Sequence, residues 1–340
     1  MESIVGRSFK TAFAALALAP AAAHADHSLA TASGSTGGPI LTVGADTLAP
    51  GQWVAGLRFT YDRPDQRSDS TLADLAAHHV HAHNADYTLR SSASLAYGLA
   101  DHLTVAASLP YIRRDDFREG EHSHSGGVAA NEVVRQGSIS GVGDLTLGLQ
   151  YLLAHDHDAG WAVALLAGVK VPTGSTHERT PDGERFETEH QPGTGSWDPF
   201  AGLAATRQIG ATRIDSNLVY QVSSRGAQRT ELGDRATASI AVSRGLGKAH
   251  HHEGGIEEHS HGGWSLSLEA TGEWEGRQRI AGEIERDSGG KAIFLAPGVR
   301  YVAAFGWSVG TALALPLWQD IRASHPDNRY RLTLAIGRAF

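Results

Sequence analysis

The sequence predicts an all-β protein, a transmembrane antiparallel up-and-down β-barrel of twelve strands. Three observations predict it. Apolar residues alternate with polar or small ones in segment after segment, the connections alternate between short and long, and aromatic residues gather at segment ends. Alternation at period two marks a strand with one apolar face. The clearest case is Leu145, Leu147, Leu149, Tyr151 and Leu153, interleaved with Thr146, Gly148, Gln150 and Leu152. No convincing helical periodicity is read anywhere after the N-terminal export signal.

The N-terminus reads as that signal. Arg7 and Lys10 precede a short apolar run from Thr11 to Ala23, and Ala23-His24-Ala25 fits a small-x-small cleavage site. The expected organisation is a signal peptide at 1–25, a flexible N-terminal segment at 26–50 and an outer-membrane β-barrel at 51–340. Gly34-Ser35-Thr36-Gly37-Gly38-Pro39 gives the second segment its flexibility. It can hang in the periplasm or fold into the lumen, and the sequence leaves both open. No later stretch reaches the roughly 18 apolar residues of a spanning helix.

The strands are expected at 51–62, 87–98, 102–114, 140–153, 160–172, 195–208, 212–224, 232–245, 263–275, 292–303, 306–318 and 329–340. Each is long enough to cross a bilayer when tilted. Short connections fall near 98–101, 154–160, 209–211 and 304–305. Long ones fall at 63–86, 115–139, 173–194 and 276–291. Short turns on one side and long loops on the other are the pattern of an outer-membrane barrel with both termini in the periplasm. The long connection at 246–262 lies on the side of the short turns.

Trp53, Trp161, Trp264 and Trp307 open strands at one interface, and Tyr97, Tyr151, Tyr301 and Phe340 close strands there. Tyr61, Tyr111, Trp197 and Trp274 belong to the other interface. Two aromatic belts suit rings that are apolar in body and polar at the tip. The chain ends with Leu332, Leu334, Ile336 and Phe340 on one face, which resembles the C-terminal signal read by the outer-membrane assembly machinery. A soluble sandwich or soluble barrel would share the alternation but would need neither belts nor a terminal Phe. The expected location is the outer membrane of a Gram-negative bacterium, and the expected partners are the lipid bilayer, the assembly machinery and a small solute.

In this register Arg58, Arg90, Asp144, Lys170, Asp198, Arg213, Asp215, Arg235, Glu269, Glu273 and Arg300 point inward. A charge on the lipid face costs several kcal/mol near the bilayer centre, so polar residues belong to the lumen. The mixed signs allow either a closed charge network or a pore of modest selectivity. The 340 residues contain no cysteine, which excludes disulfides, thiolate metal sites and cysteine nucleophiles. A net charge of −8 argues against a nucleic-acid partner. Catalytic motifs are absent, so an enzyme is not expected.

Histidine is the chemical anomaly, with 19 copies, mostly clustered. His78, His79, His81 and His83 share one long loop, and His122 and His124 the next. His177, His190 and His325 sit in other external loops. On the opposite side stand His155 and His157, then His250, His251, His252, His259 and His261. Imidazole suits zinc, nickel and copper. The expectation is weak Zn, Ni or Cu binding by loop histidines and no firm cofactor. Solvated polar loops or a pH response remain alternatives.

Several stretches resemble a family of outer-membrane proteins named for a MetA pathway of phenol degradation. They are Asp46-Thr47-Leu48-Ala49-Pro50-Gly51-Gln52-Trp53, Leu109-Pro110-Tyr111, Gly141-Val142-Gly143-Asp144-Leu145-Thr146-Leu147-Gly148-Leu149-Gln150-Tyr151, Lys170-Val171-Pro172-Thr173-Gly174 and Gly193-Thr194-Gly195-Ser196-Trp197-Asp198-Pro199. The resemblance implies an outer-membrane channel or transporter, often for small organic compounds, and supplies no functional residues. The histidine loops depart from a plain aromatic-uptake channel. The function expected from the sequence is therefore passive passage of a small solute, with divalent metal ions captured by those loops. The alternatives are an uptake channel for small aromatic or hydrophobic compounds, and a closed structural or adhesion barrel.

Overall fold

The computed structural model describes residues 38–80, 82–123, 130–246 and 263–340. The export signal at 1–25 and the start of the segment at 26–50 lie outside the described residues.

Twelve strands close into one antiparallel barrel. They are β1 (Trp53–Pro64), β2 (Tyr87–Ala100), β3 (Leu103–Ser123), β4 in two halves (Ala130–Val142 and Leu145–Asp156), β5 (Trp161–Val171), β6 (Asp198–Ile209), β7 (Thr212–Gln221), β8 (Arg235–Leu246), β9 (Gly263–Glu275), β10 (Gly290–Val302), β11 (Trp307–Ile321) and β12 (Asn328–Ala339). Each strand pairs with the next, and β12 closes on β1 with Gly56 opposite Gly337. Closure of β12 on β1 leaves neither of these two strands with a free edge in the hydrocarbon, where an unsatisfied backbone group has no water to bond.

Side-chain alternation sets the register. Leu57, Leu95, Leu147, Leu203, Leu218, Ile240, Leu268, Val309 and Leu334 are exposed on the outer wall, while their chain neighbours point inward. Trp53 stands opposite Tyr97 with ring centroids 4.3 Å apart, and Trp264 opposite Tyr301 at 4.9 Å. Tyr61, Tyr87 and Tyr330 cluster at the other rim, Tyr61 lying 5.2 Å from Tyr87 and 6.2 Å from Tyr330.

Two larger features of the fold differ from the sequence reading. The stretch 115–139, expected as a loop, continues β3 and the upper half of β4 as a hairpin standing above the bilayer rim, from Arg114↔Ile139 to Ser123↔Ala130. Its polar composition hides it from an argument based on a lipid-facing stripe. A helix, α1 (Asp69–Ala77), also stands where no helix was expected. The Ser68 side chain accepts from the Thr71 N–H at 3.1 Å as its N-cap. Leu72 and Ala76, four residues apart, are its buried contacts. Two apolar positions give too weak a period to be read in advance.

Candidate functional site

Residues 38–48 of the segment expected to be flexible lie inside the barrel. The lumen supplies its hydrogen-bond partners one by one. The Ile40, Leu41 and Thr42 N–H groups donate to the Glu269 carboxylate at 2.7, 2.9 and 2.8 Å, and the Thr42 hydroxyl joins them at 2.9 Å. Val43 N donates to Asn217 at 3.0 Å, Ala45 N to Thr206 at 2.8 Å and Leu48 N to Thr104 at 2.7 Å. Arg58 donates to the Ile40 carbonyl at 2.8 Å and Arg300 to that of Pro39 at 3.0 Å. Gln150 reaches the carbonyls of Gly44 and Asp46 at 2.9 and 2.8 Å. The apolar side chains of this plug are buried as well, Ile40 beside Phe294 and Ala312, and Val43 beside Leu166 and Ala204. A Cβ on Gly298 would sit 3.0 Å from Ile40 Cδ1, so this small lumen residue makes room for the plug.

Charge pairs brace the wall around it. Arg213 holds Asp215 at 2.7 Å and also pairs with Asp46 of the plug. Arg331 bridges Asp62 at 2.6 Å and Glu273 at 2.7 Å, with its guanidinium 4.4 Å from the centre of the Phe294 ring. Arg235 holds Glu275 at 3.0 Å. Each of these cations is turned to a carboxylate that would otherwise be buried alone.

Above the plug lies a cavity of about 280 Å³. That is near the lower edge of small-molecule sites, roughly 300–1,000 Å³. Val43, Leu166, Phe200 and Val219 give it an apolar floor and side, while Arg90, Lys170 and Arg235 give it cations. The external loops roof it. Phe117, Phe186 and Ile139 pack together in the cap, and the rings of His83, His190 and His325 face the cavity beside Glu189. Burial, with Glu187 adding to it, pushes the Glu189 carboxyl up to about 8. Burial lowers His83, His190 and His325 from the ordinary histidine value; neighbouring charges add to it at His83 and His190, while Glu275 opposes it at His325.

One place in the wall is irregular. Residues Leu103–Ser108 of β3 pair with the lower half of β4, and from Tyr111 onward β3 pairs with the upper half. Between the halves stand Gly143 and Asp144, opposite Pro110. Proline has no N–H to donate, so it sits where a ladder is interrupted. The Gly143 N–H bonds the Pro110 carbonyl at 2.8 Å. Only the lower half of β4 pairs with β5, starting at Leu145↔Val171. Asp144 ties the seam: it accepts from Gly174 N at 2.9 Å, Thr194 N at 2.8 Å, Thr194 Oγ1 at 2.7 Å and Lys170 Nζ at 2.8 Å. Lys170 also pairs with Asp198 at 2.9 Å. A Cβ on Gly174 would meet backbone atoms of Gly143 and Gly193 at 2.7 Å, so three glycines allow the chains to pack backbone to backbone. On the lipid side of the same seam is a groove of about 210 Å³ between Leu57, Phe59, Leu109 and Tyr111, floored by Ser91 and Ala93.

The eleven inward residues named from the sequence thus fall into three groups. Arg58, Glu269 and Arg300 hold the plug, with Arg213 and Asp215 beside it. Asp144, Lys170 and Asp198 form the seam. Arg90, Arg235 and Glu273 stand higher, around the cavity or in its bracing pairs. Asp62 and Arg331 escaped the sequence reading, although strand parity with Arg58 and Leu332 marks both as inward. Glu189 lies in a loop, where no periodicity exists to find it. Among the described histidines named from the sequence, His83, His190 and His325 border the cavity. His78, His79, His155 and His157 are exposed. His81, His124, His250, His251, His252, His259 and His261 lie outside the described residues, as does the side chain of His122.

Among solved structures, the COG4313 outer membrane channel from Pseudomonas putida F1 is similar over 87% of this chain and 98% of its own, with a TM-score of 0.58 and 16% identity. The β domain of the Bordetella autotransporter BrkA matches over 86% of this chain and 100% of its own, with a TM-score of 0.43 and 10% identity. The P. putida toluene transporter TodX matches over 86% and 90%, with a TM-score of 0.40 and 11% identity. No curated protein is similar to the chain in sequence. The closed barrel with its lipid-facing wall is an outer-membrane protein of Gram-negative type. The profile of the family described as "Putative MetA-pathway of phenol degradation" matches residues 62–315, and the chain belongs to that family.

Proposed function

We propose that this outer-membrane protein is a channel for small aromatic or otherwise hydrophobic compounds, which pass sideways from the cavity to the lipid through the seam at Asp144. One observation carries the reading: Pro110 borders both the internal cavity and the apolar groove on the lipid side. The plug fills the periplasmic half of the lumen, so the shortest way out of the cavity is through the wall. The cavity suits a molecule with an apolar ring and a polar handle, since Phe200 and Leu166 share it with Lys170 and Arg235. The seam is held by side-chain and backbone bonds to one carboxylate rather than by a continuous strand ladder. The name of the COG4313 channel supports a channel role, and the family's description, which names phenol degradation, supports an aromatic solute. Insertion by the outer-membrane assembly machinery is part of the same proposal, supported by the lipid-facing Leu332 and Leu334 of β12.

Passage of divalent ions finds no support in the comparisons. The described histidines of the cavity stand in its roof, and its wall carries Asp, Lys and Arg instead. Uptake by a Gram-negative host tests the proposal. Cells expressing the barrel should accumulate a labelled small aromatic hydrocarbon faster than cells with the empty vector, and a labelled disaccharide at the same rate. Equal aromatic uptake in both strains would overturn it.

A further inference from the structure

We propose that the extracellular cap binds one divalent transition-metal ion of the zinc class, with His83, Glu189 and His190 as ligands and His325 beside them. The ligand atoms of the first three lie within 4.8 Å of one another. His190 Nε2 and Glu189 Oε1 are 3.3 Å apart, and His83 Nδ1 is 3.9 Å from the same oxygen. Zinc bonds of roughly 2.0–2.1 Å place two tetrahedral ligands about 3.3 Å apart. One edge of that tetrahedron already has its length, and the edge from His83 to Glu189 needs to close by about 0.6 Å.

A second observation points the same way. His190 Nε2 is fully buried and has no hydrogen-bond partner. A buried polar atom without a partner costs free energy, and a metal bond would repay it. His325 stands edge-on to His83, with ring centroids 4.6 Å apart, and its Nδ1 is engaged by the Ser324 hydroxyl at 2.9 Å. That bond leaves Nε2 as the free ring nitrogen, in the manner of a histidine oriented by its outer neighbour. Two neutral imidazoles and a carboxylate are the mixed N/O donor set that zinc takes.

The charges around the cluster allow a cation. Arg114, Arg67 and Arg235 act on the cluster, and the guanidiniums of Arg114 and Arg67 are turned to backbone carbonyls, those of His190 and Ala323, at 2.6 Å each. Glu119, Glu187 and Glu275 oppose them with negative charge on Glu189. The ligands come from loops far apart in the chain, so an ion here staples the loops at 65–86 and 172–197 over the cavity, with the loop at 322–327 alongside. This site differs in burial from His78, His79, His155 and His157, which are exposed.

Zinc retention by the folded full-length barrel against a competing chelator tests the assignment, read as metal per chain by mass spectrometry. The native chain should keep one zinc per chain. So should His155→Ser/His157→Ser, which removes an exposed pair. His190→Ala should lose it, and Glu189→Gln, which preserves shape, should weaken it about 100-fold. Cobalt in place of zinc should give the visible absorption of a four-coordinate ion in the native chain and in His155→Ser/His157→Ser, and not in His190→Ala. Absence of retained zinc in the native chain, or equal retention in Glu189→Gln, would overturn the proposal. If His190→Ala does not fold, as judged by heat-modifiable migration, Glu189→Gln decides.

Discussion

Lys170 Nζ lies 2.8 Å from Asp144 Oδ2, at the point where the barrel wall changes partners between the two halves of β4. Both residues belong to strand-like stretches, yet their pairing holds loops as well: the same carboxylate gathers the backbone N–H groups of Gly174 and Thr194. The seam is thus a polar knot set into an apolar wall.

Asp144→Asn should loosen that knot. Removing one partner of a buried pair costs roughly 3–5 kcal/mol, but Lys170 keeps Asp198 at 2.9 Å. The net loss should be about 2 kcal/mol, read as a lower urea midpoint for the folded barrel. Uptake of a small aromatic compound should rise about twofold or more. An unchanged midpoint would remove Asp144 from the seam's support.

Glu269 anchors the plug through three N–H groups and one hydroxyl. Hydrogen bonds to a charged acceptor are each worth about 1.5–3 kcal/mol. Glu269→Ala should free residues 39–42 from the wall and raise single-channel conductance in planar bilayers, with frequent switching between levels. A conductance equal to that of the native chain would contradict the plug's role in closing the lumen.

Arg331→Met removes the cation that Asp62 and Glu273 share. The expected cost is about 3–5 kcal/mol. Arg331→Lys, which retains the charge but cannot make the same fork, should cost less than half of that. Equal destabilisation by the two variants would show that the guanidinium packs rather than neutralises.

The strand parity that reveals the barrel also reveals most of its lumen. Leu145, Leu147 and Leu149 define the outer face, and Asp144 and Lys170 follow as inward residues by counting. Parity stops at the loops. Glu189 and His190 share a turn with no period, and they meet His83 only through tertiary folding. The hairpin above the rim carries polar residues on both faces, because water rather than lipid surrounds it, so its strand character left no apolar stripe. The plug was legible as a segment but not in its place, since its fit depends on Asn217, Thr206 and Thr104 from three strands. The stretches around Pro110, Gly143, Gly174 and Gly193 were read only as a family resemblance. In the fold they are one structure, where glycines let backbones touch and a proline interrupts the ladder.

The lateral route is tested most directly at Ala93, an exposed residue on the floor of the lipid-side groove. Ala93→Trp fills the groove from outside with a side chain that suits the membrane, and leaves the lumen, plug and cap untouched. Its uptake of a labelled small aromatic hydrocarbon, measured beside its single-channel conductance, separates the wall from the axis of the barrel. The account predicts that uptake falls about fivefold or more while conductance stays at the native level. Native uptake in the Ala93→Trp barrel would contradict it.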